Sequence, residues 1–195
     1  ALDSLDSHKK LIDLKKLDNN FKLDIRYAST NNFMRSKFYK NERAFFNMSA
    51  ADRLIEAKNE LKKLGYGIII YDAYRPWFVT KMFWEGTPEN LKHFVANPEN
   101  GSSHNKGCAI DIGLYDIETG ESIVMISGYD EFTERAYTNY MGGSKKQRDI
   151  RDTLIQVMER NDFTVYEYEW WHFNYNGCDS GIMNYSFEEL DSISS

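Results

Sequence analysis

Two stretches of the chain carry apolar residues at helical spacing. In 49–64, SAADRLIEAKNELKKL, residues Leu54, Ile55, Ala57, Leu61 and Leu64 fall on one face. Ser49 reads as the N-cap with Asp52 three positions on, and Gly65 and Gly67 close the helix. In 145–160, behind a capping Ser144, residues Ile150, Leu154, Val157 and Met158 point inward. KNELKK (58–63) and KKQR (145–148) read as solvated helix faces. Strand patterns differ in kind. LDIRYAS (23–29) predicts a short strand before the turn signal TNNF. YGIIIYDAY (66–74) is a continuous apolar run, which predicts burial on both faces. Arg75-Pro76 ends it and opens a helical stretch over 77–85, and 90–97 reads as a short helix or turn. AIDIGLYD (109–116) predicts a strand that turns at ETG into ESIVMI. FTVYEYEWWHFNY (163–175), β-branched and aromatic, predicts one last strong strand. Residues 1–20 show only a weak amphipathic period, and the tail 176–195 reads as irregular with a turn of helix near FEEL. Runs of strands with two main helices predict an α+β fold. Its central sheet is antiparallel or mixed with flanking helices, not doubly wound.

Composition narrows the class. The 195 residues, 42% of them hydrophobic, suffice for one core. With three prolines, no repeat and no low-complexity tract, we expect a single domain over 1–195. The aromatic share of 15% can fill a core and also line a cleft. A net charge of −6 excludes the basic footprint of a general nucleic-acid binder. No apolar run approaches the ~20 residues of a membrane span. The chain starts at Ala1 rather than Met, and we expect a periplasmic or otherwise exported protein in mature form, the cytoplasm being the alternative. Cys108 and Cys178 are too few for a disulfide scaffold. Two buried thiols is the expected reading, and a single bridge is the other.

The chemistry concentrates in SSHNKGCAID (102–111) and EWWH (169–172). A catalytic zinc takes three protein ligands, commonly His and carboxylate, and keeps one position open. His104 and Asp111 are seven residues apart, about 23 Å on a straight strand at ~3.3 Å per residue. They meet only if the chain bends, and Gly107 permits a bend. His172 supplies a third ligand, and Glu169 a group able to take a proton from water. On an ideal strand Glu169 and His172 point to opposite faces, so either a bulge intervenes or the strand ends nearby. Taken singly, His172 reads as a structural histidine and Asp111 as a turn cap. Co-occurrence carries the metal reading. His8 and His93 are expected at the surface and not as ligands.

SSHNKGCAID matches the pattern S-x-H-x-x-G-x-A-x-D and EWWH matches E-x-x-H. Together they resemble the zinc D,D-peptidases of the VanX type, the D-alanyl-D-alanine dipeptidases. DIRYASTNNF (24–33), YDAYRP (71–76) and YDEFTERAY (129–137) are similar to further family segments in the same order. The resemblance implies the fold shared with the Hedgehog signalling domain. It implies one Zn²⁺ per chain held by His104, Asp111 and His172, with Glu169 as catalytic base and Arg75 stabilising the oxyanion. It implies a small dipeptide substrate whose free amino group binds Asp130, in a pocket lined by Ser102 and Tyr39. The chain departs from the family pattern at MRSK (34–37) and at Cys108. Two other readings stay open. One is a D,D- or L,D-carboxypeptidase or endopeptidase acting on peptidoglycan stem peptides. The other is a non-catalytic zinc-containing binding domain. Oligomeric state and biological role stay open as well.

Overall fold

A computed structural model describes residues 6–193. The elements run in the order β1 (Leu11–Asp13), α1 (Leu14–Leu17), β2 (Lys22–Leu23), β3 (Phe45–Asn47), α2 (Met48–Lys63), β4 (Tyr66–Asp72), α3 (Trp77–Gly86), β5 (Ala109–Asp116), α4 (Lys145–Arg160), β6 (Phe163–Tyr166), β7 (Glu169–Tyr175) and α5 (Phe187–Ile193). Five strands form one sheet in the order β2-β4-β5-β7-β6. β2 runs parallel to β4, and the other pairs are antiparallel. β1 and β3 form a separate antiparallel pair. The expected α+β class, a mixed central sheet with flanking helices, is what the structure shows.

Strand periodicity assigns the two faces of the sheet. Ile68, Ile70, Ile110, Ile112, Leu114 and Phe173 are cross-strand neighbours and all lie in the core. α2 packs on β4, and α4 packs on β6 and β7. They deliver Leu54, Ala57 and Leu61, and Ile150, Leu154, Val157 and Met158, to the same core. Each such large side chain contributes about 1.5–3 kcal/mol by leaving water. The alternate residues of β5 face the other way, and Asp111 is one of them. Asp72, Asp111 and His172 are cross-strand partners in neighbouring strands, so they form one row across the sheet.

Several local expectations are corrected. The cap of α2 is Asn47, whose Oδ1 accepts from Ser49 N at 3.0 Å and Ala50 N at 3.2 Å. Leu64 lies just past the helix end and is 55% exposed. Lys58 is buried, its ammonium 2.7 Å from Asp18 and 5.9 Å from the Phe21 ring centroid, so that face of KNELKK is not simply solvated. Of 23–29 only Leu23 is strand. Residues Arg26–Ala28 form a 3-10 turn that drives Tyr27 into the core. ESIVMI makes one bridge, Ser122 with Tyr115, and no strand. Its last two carbonyls are taken by side chains instead: Gln147 donates to Met125 O and Arg135 to Ile126 O. The 163–175 segment is two strands, reversed through Glu167 and Tyr168. Cys108 and Cys178 form a disulfide, not two buried thiols, with Cα atoms 5.8 Å apart. The tail therefore returns to the back of the 102–111 loop. Met183 N donates to Asn105 O there as well. Among the described residues no helix is long and apolar enough to cross a membrane.

Candidate active site

The loop before β5 is built to hold one histidine still. Ser103–Lys106 is a single 3-10 turn with a reciprocal cap: Ser102 Oγ accepts from His104 N at 3.2 Å, and Asn105 Oδ1 accepts from Ser102 N at 2.8 Å. Gly107 then adopts φ +69°, and a Cβ there would press on Leu11. That is the bend the His104–Asp111 spacing demands. The His104 ring is buried, and its Nδ1 donates to the carbonyl of Ala73 at 2.7 Å. Nε2 is thereby left as the free lone pair, 3.3 Å from Asp111 Oδ1.

His172 reaches the same oxygen from β7. Its Nε2 donates to Asn174 Oδ1 at 2.9 Å, and its Nδ1 lies 3.0 Å from Asp111 Oδ1. Ligand atoms of His104, Asp111 and His172 all lie within 4.8 Å of one another. Each histidine commits its other nitrogen to an oxygen acceptor, which orients a metal-binding ring. The donor set, two neutral imidazole nitrogens and a carboxylate oxygen, fits a divalent ion such as zinc. Burial alone would raise the Asp111 pKa, but the two histidines outweigh it and hold the carboxyl well below its usual range. Burial likewise opposes charge on His172, yet the hydrogen bond and charge of Asp111 push it up to about 9.

Glu169 and His172 are three apart on a strand and still line one cavity. A bulge reconciles this. Val165 faces Phe173 and Tyr166 faces Glu169, so Trp170, Trp171 and His172 have no partner on β6. The half-buried Glu169 has its pKa raised, chiefly by burial, with His172 pulling the other way.

Arg75 follows β4. Its Nε and Nη2 donate to Asp72 Oδ2 at 3.0 and 2.8 Å, and its guanidinium lies 4.9 Å from the Phe83 ring centroid and 5.5 Å from that of Tyr27. Asp130 sits at φ +56°, a backbone conformation rare outside glycine. Its carboxylate accepts the Tyr27 hydroxyl, and burial pushes its pKa well up.

These groups meet in a cavity of about 290 Å³ lined by His104, Asp111, His172, Glu169, Arg75, Asp130 and Ser102. Phe33, Phe83, Phe94 and Phe132 add an apolar wall. Tyr39 is a correction. It does not line the cavity but lies behind it, buried, donating to Asp72 Oδ1 at 3.1 Å. His93 is exposed, as expected, in the 3-10 turn Glu89–Phe94, where it lines the rim of both this cavity and an adjoining one of about 290 Å³. Sequence reasoning missed Asp72, Asn174 and Tyr129, whose hydroxyl donates to Asp111 Oδ2 at 2.7 Å. Asn174 had a signal, since it stands two residues from His172 on the same strand face. Chemically, the arrangement offers a metal site, a carboxylate able to carry a proton, a fixed cation and an unneutralised acid.

A family model described as D-ala-D-ala dipeptidase, of the M15 peptidases, matches residues 7–191. The chain is 32% identical over 171 residues to the D-alanyl-D-alanine dipeptidase of Enterococcus faecium, covering 77% of this chain and 83% of that one. It is 29% identical over 164 residues to the D-alanyl-D-alanine dipeptidase of Escherichia coli (strain K12), covering 84% and 83%. Among solved structures, the LdcB LD-carboxypeptidase superposes with a TM-score of 0.48 at 22% identity, covering 69% of this chain and 61% of that one.

Proposed function

The chain belongs to the D-ala-D-ala dipeptidase family of M15 peptidases, a metal-dependent peptidase family, and from that premise we propose that it is a zinc enzyme hydrolysing D-alanyl-D-alanine with a free amino terminus. The observation that carries the reading is the convergence of His104 Nε2, Asp111 Oδ1 and His172 Nδ1 in one cavity with Glu169 and Arg75. Zinc held by these three residues would supply a Lewis acid and make water acidic enough to ionise near pH 7. Glu169 takes the proton of the attacking water and hands it to the leaving amine. Its raised pKa suits a group that must accept a proton and then release it. Arg75 shares the charge that grows on the carbonyl oxygen. Asp72 fixes its fork, so no reorganisation is needed as that charge appears. Asp130 pairs with the substrate ammonium, which supplies the cation its buried carboxylate lacks. Phe33, Phe83, Phe94 and Phe132 give the cavity an apolar wall beside these charged groups.

The test is a substrate panel on zinc-loaded protein: D-Ala-D-Ala, its N-acetyl derivative, the L,L dipeptide, and a longer peptide ending in D-Ala-D-Ala. Cleavage of the free D,D-dipeptide far above the others is expected. Cleavage of the longer peptide alone would overturn the dipeptidase reading in favour of a carboxypeptidase. We also propose an exported location, supported by the Cys108–Cys178 bridge, since such bonds persist in oxidising compartments. Fractionation of the native cell with an assay of each fraction tests it.

A further inference from the structure

The two oxygens of Asp111 face different partners. Oδ1 lies 3.3 Å from His104 Nε2 and 3.0 Å from His172 Nδ1. Oδ2 accepts the Tyr129 hydroxyl at 2.7 Å. That hydroxyl is held by its ring. Tyr129 stacks on Tyr71 with centroids 4.6 Å apart and planes at 26°, and meets Trp171 edge-on at 5.5 Å. The Arg26 guanidinium lies 5.0 Å from the Tyr71 centroid and 5.8 Å from that of Tyr129. Such a stack leaves the phenol little freedom to turn away from Asp111.

We propose that Tyr129 is a positioning residue that makes Asp111 a one-oxygen ligand and so keeps a coordination position open for water and the scissile carbonyl. This rests on the three-ligand metal reading above. A carboxylate with both oxygens free can chelate an ion through both. A short hydrogen bond from a neutral hydroxyl to the charged Oδ2 is among the stronger kinds, and it competes with that second metal contact. A tetrahedral ion with three single-atom protein ligands retains one position, whereas a chelating Asp111 would fill it. Partners of this outer layer typically govern metal affinity by about 10–100-fold.

The experiment uses the full chain stripped of metal and titrated with cobalt(II) alone, read by visible absorption. Tyr129→Phe keeps the stacked ring and removes only the hydroxyl. It is expected to bind one cobalt per chain with a visible band clearly weaker than the wild-type one, as coordination number rises. Its zinc dissociation constant is expected to rise about 10–100-fold. Tyr71→Phe preserves the stack and makes no bond to Asp111, so its band should match wild type. A Tyr129→Phe band indistinguishable from wild type, with wild-type protein binding cobalt tightly, overturns the role of Tyr129 and leaves the metal reading intact. Wild-type protein that binds no cobalt overturns the metal reading and this proposal together.

Discussion

The amide of Arg75 donates to the carbonyl of His104 at 3.0 Å, so the cation after β4 and the first metal-ligand candidate share one backbone bond. Asn105 doubles the tie. Its fully buried Nδ2 donates to Arg75 O at 2.8 Å and to Thr80 Oγ1 at 2.9 Å, while its Oδ1 accepts from Ser102 N. One carboxamide thus joins the ligand loop, the end of β4 and α3. Replacing it by Ala strands two buried acceptors, Arg75 O and Thr80 Oγ1, each costing about 1–3 kcal/mol, and takes the partner from the half-buried Ser102 amide. Asn105→Ala is expected to lose about 2–4 kcal/mol in urea unfolding and to bind zinc at least tenfold more weakly. Unchanged zinc affinity in the folded variant would show that the loop holds its histidine without this brace.

Glu169→Gln keeps the shape of the side chain and removes its capacity to accept a proton. Because Glu169 is not among the three ligand candidates, metal content should stay at that of wild type. Turnover of D-Ala-D-Ala should fall by about 10²–10⁴-fold. Metal analysis beside a steady-state assay checks both halves. Full activity in the variant would remove Glu169 from the chemistry, and loss of metal would recast it as a ligand.

Where a segment's own pattern decided its structure, the sequence was a sufficient guide. β5 spans 109–116 and α4 spans 145–160 as the periodicity predicts, and the αL backbone at Gly107 answers the distance between His104 and Asp111. Residues whose place depends on distant partners were not legible. Tyr39 looked like a pocket residue, yet its hydroxyl bonds Asp72, 33 positions away, from behind the cavity. Tyr129 reaches Asp111 only because the loop after β5 folds back over the sheet. EWWH raised the parity conflict between Glu169 and His172 but could not choose between a bulge and a strand end. The choice lies in the register of β6 against β7, a property of two strands together. The Cys108–Cys178 bridge spans 70 residues and likewise needed the course of the tail.

Asp130 can be tested without disturbing its backbone, because Asn also tolerates the left-handed conformation found there. Asp130→Asn should lower kcat/KM for D-Ala-D-Ala by about 10–100-fold, the worth of one hydrogen-bonded charge. Hydrolysis of the N-acetyl dipeptide, which has no ammonium, should not fall. The ratio of the two substrates is the readout. A parallel loss on both would assign Asp130 to the integrity of the loop rather than to amine recognition.

The disulfide offers a separate handle. A crosslink over 70 residues restricts the unfolded chain, worth about 2–4 kcal/mol in practice. Its Cys108 end lies one residue past Gly107, in the loop that carries His104. Cys108→Ser with Cys178→Ser, made together so that no lone thiol remains, should lower stability by that amount. Thermal unfolding with and without reductant checks it. The double variant should be insensitive to reductant while the parent is not. Equal melting of oxidised and reduced parent protein would remove the bridge from the account of stability.

In metal-free protein His172 carries a proton that a metal must displace. The buried ring would by itself favour neutrality, but the hydrogen bond and charge of Asp111 raise its pKa to about 9, above the ~6.5 of an unfolded chain. The sign follows. A group whose folded pKa is raised stabilises the fold fully below about pH 6.5, and that contribution is lost as pH rises through about 9. Metal binding needs the neutral ring, so it runs the other way: zinc affinity should climb about tenfold per pH unit up to about 9 and then flatten. Competition with a chelator of known pH dependence measures the slope, and the His172 ring proton shift in metal-free protein measures the pKa. A ring titrating near 6.5, with zinc affinity level from pH 7 to 9, would mean that Asp111 does not hold the proton on His172 and that the two are not coupled before the metal arrives.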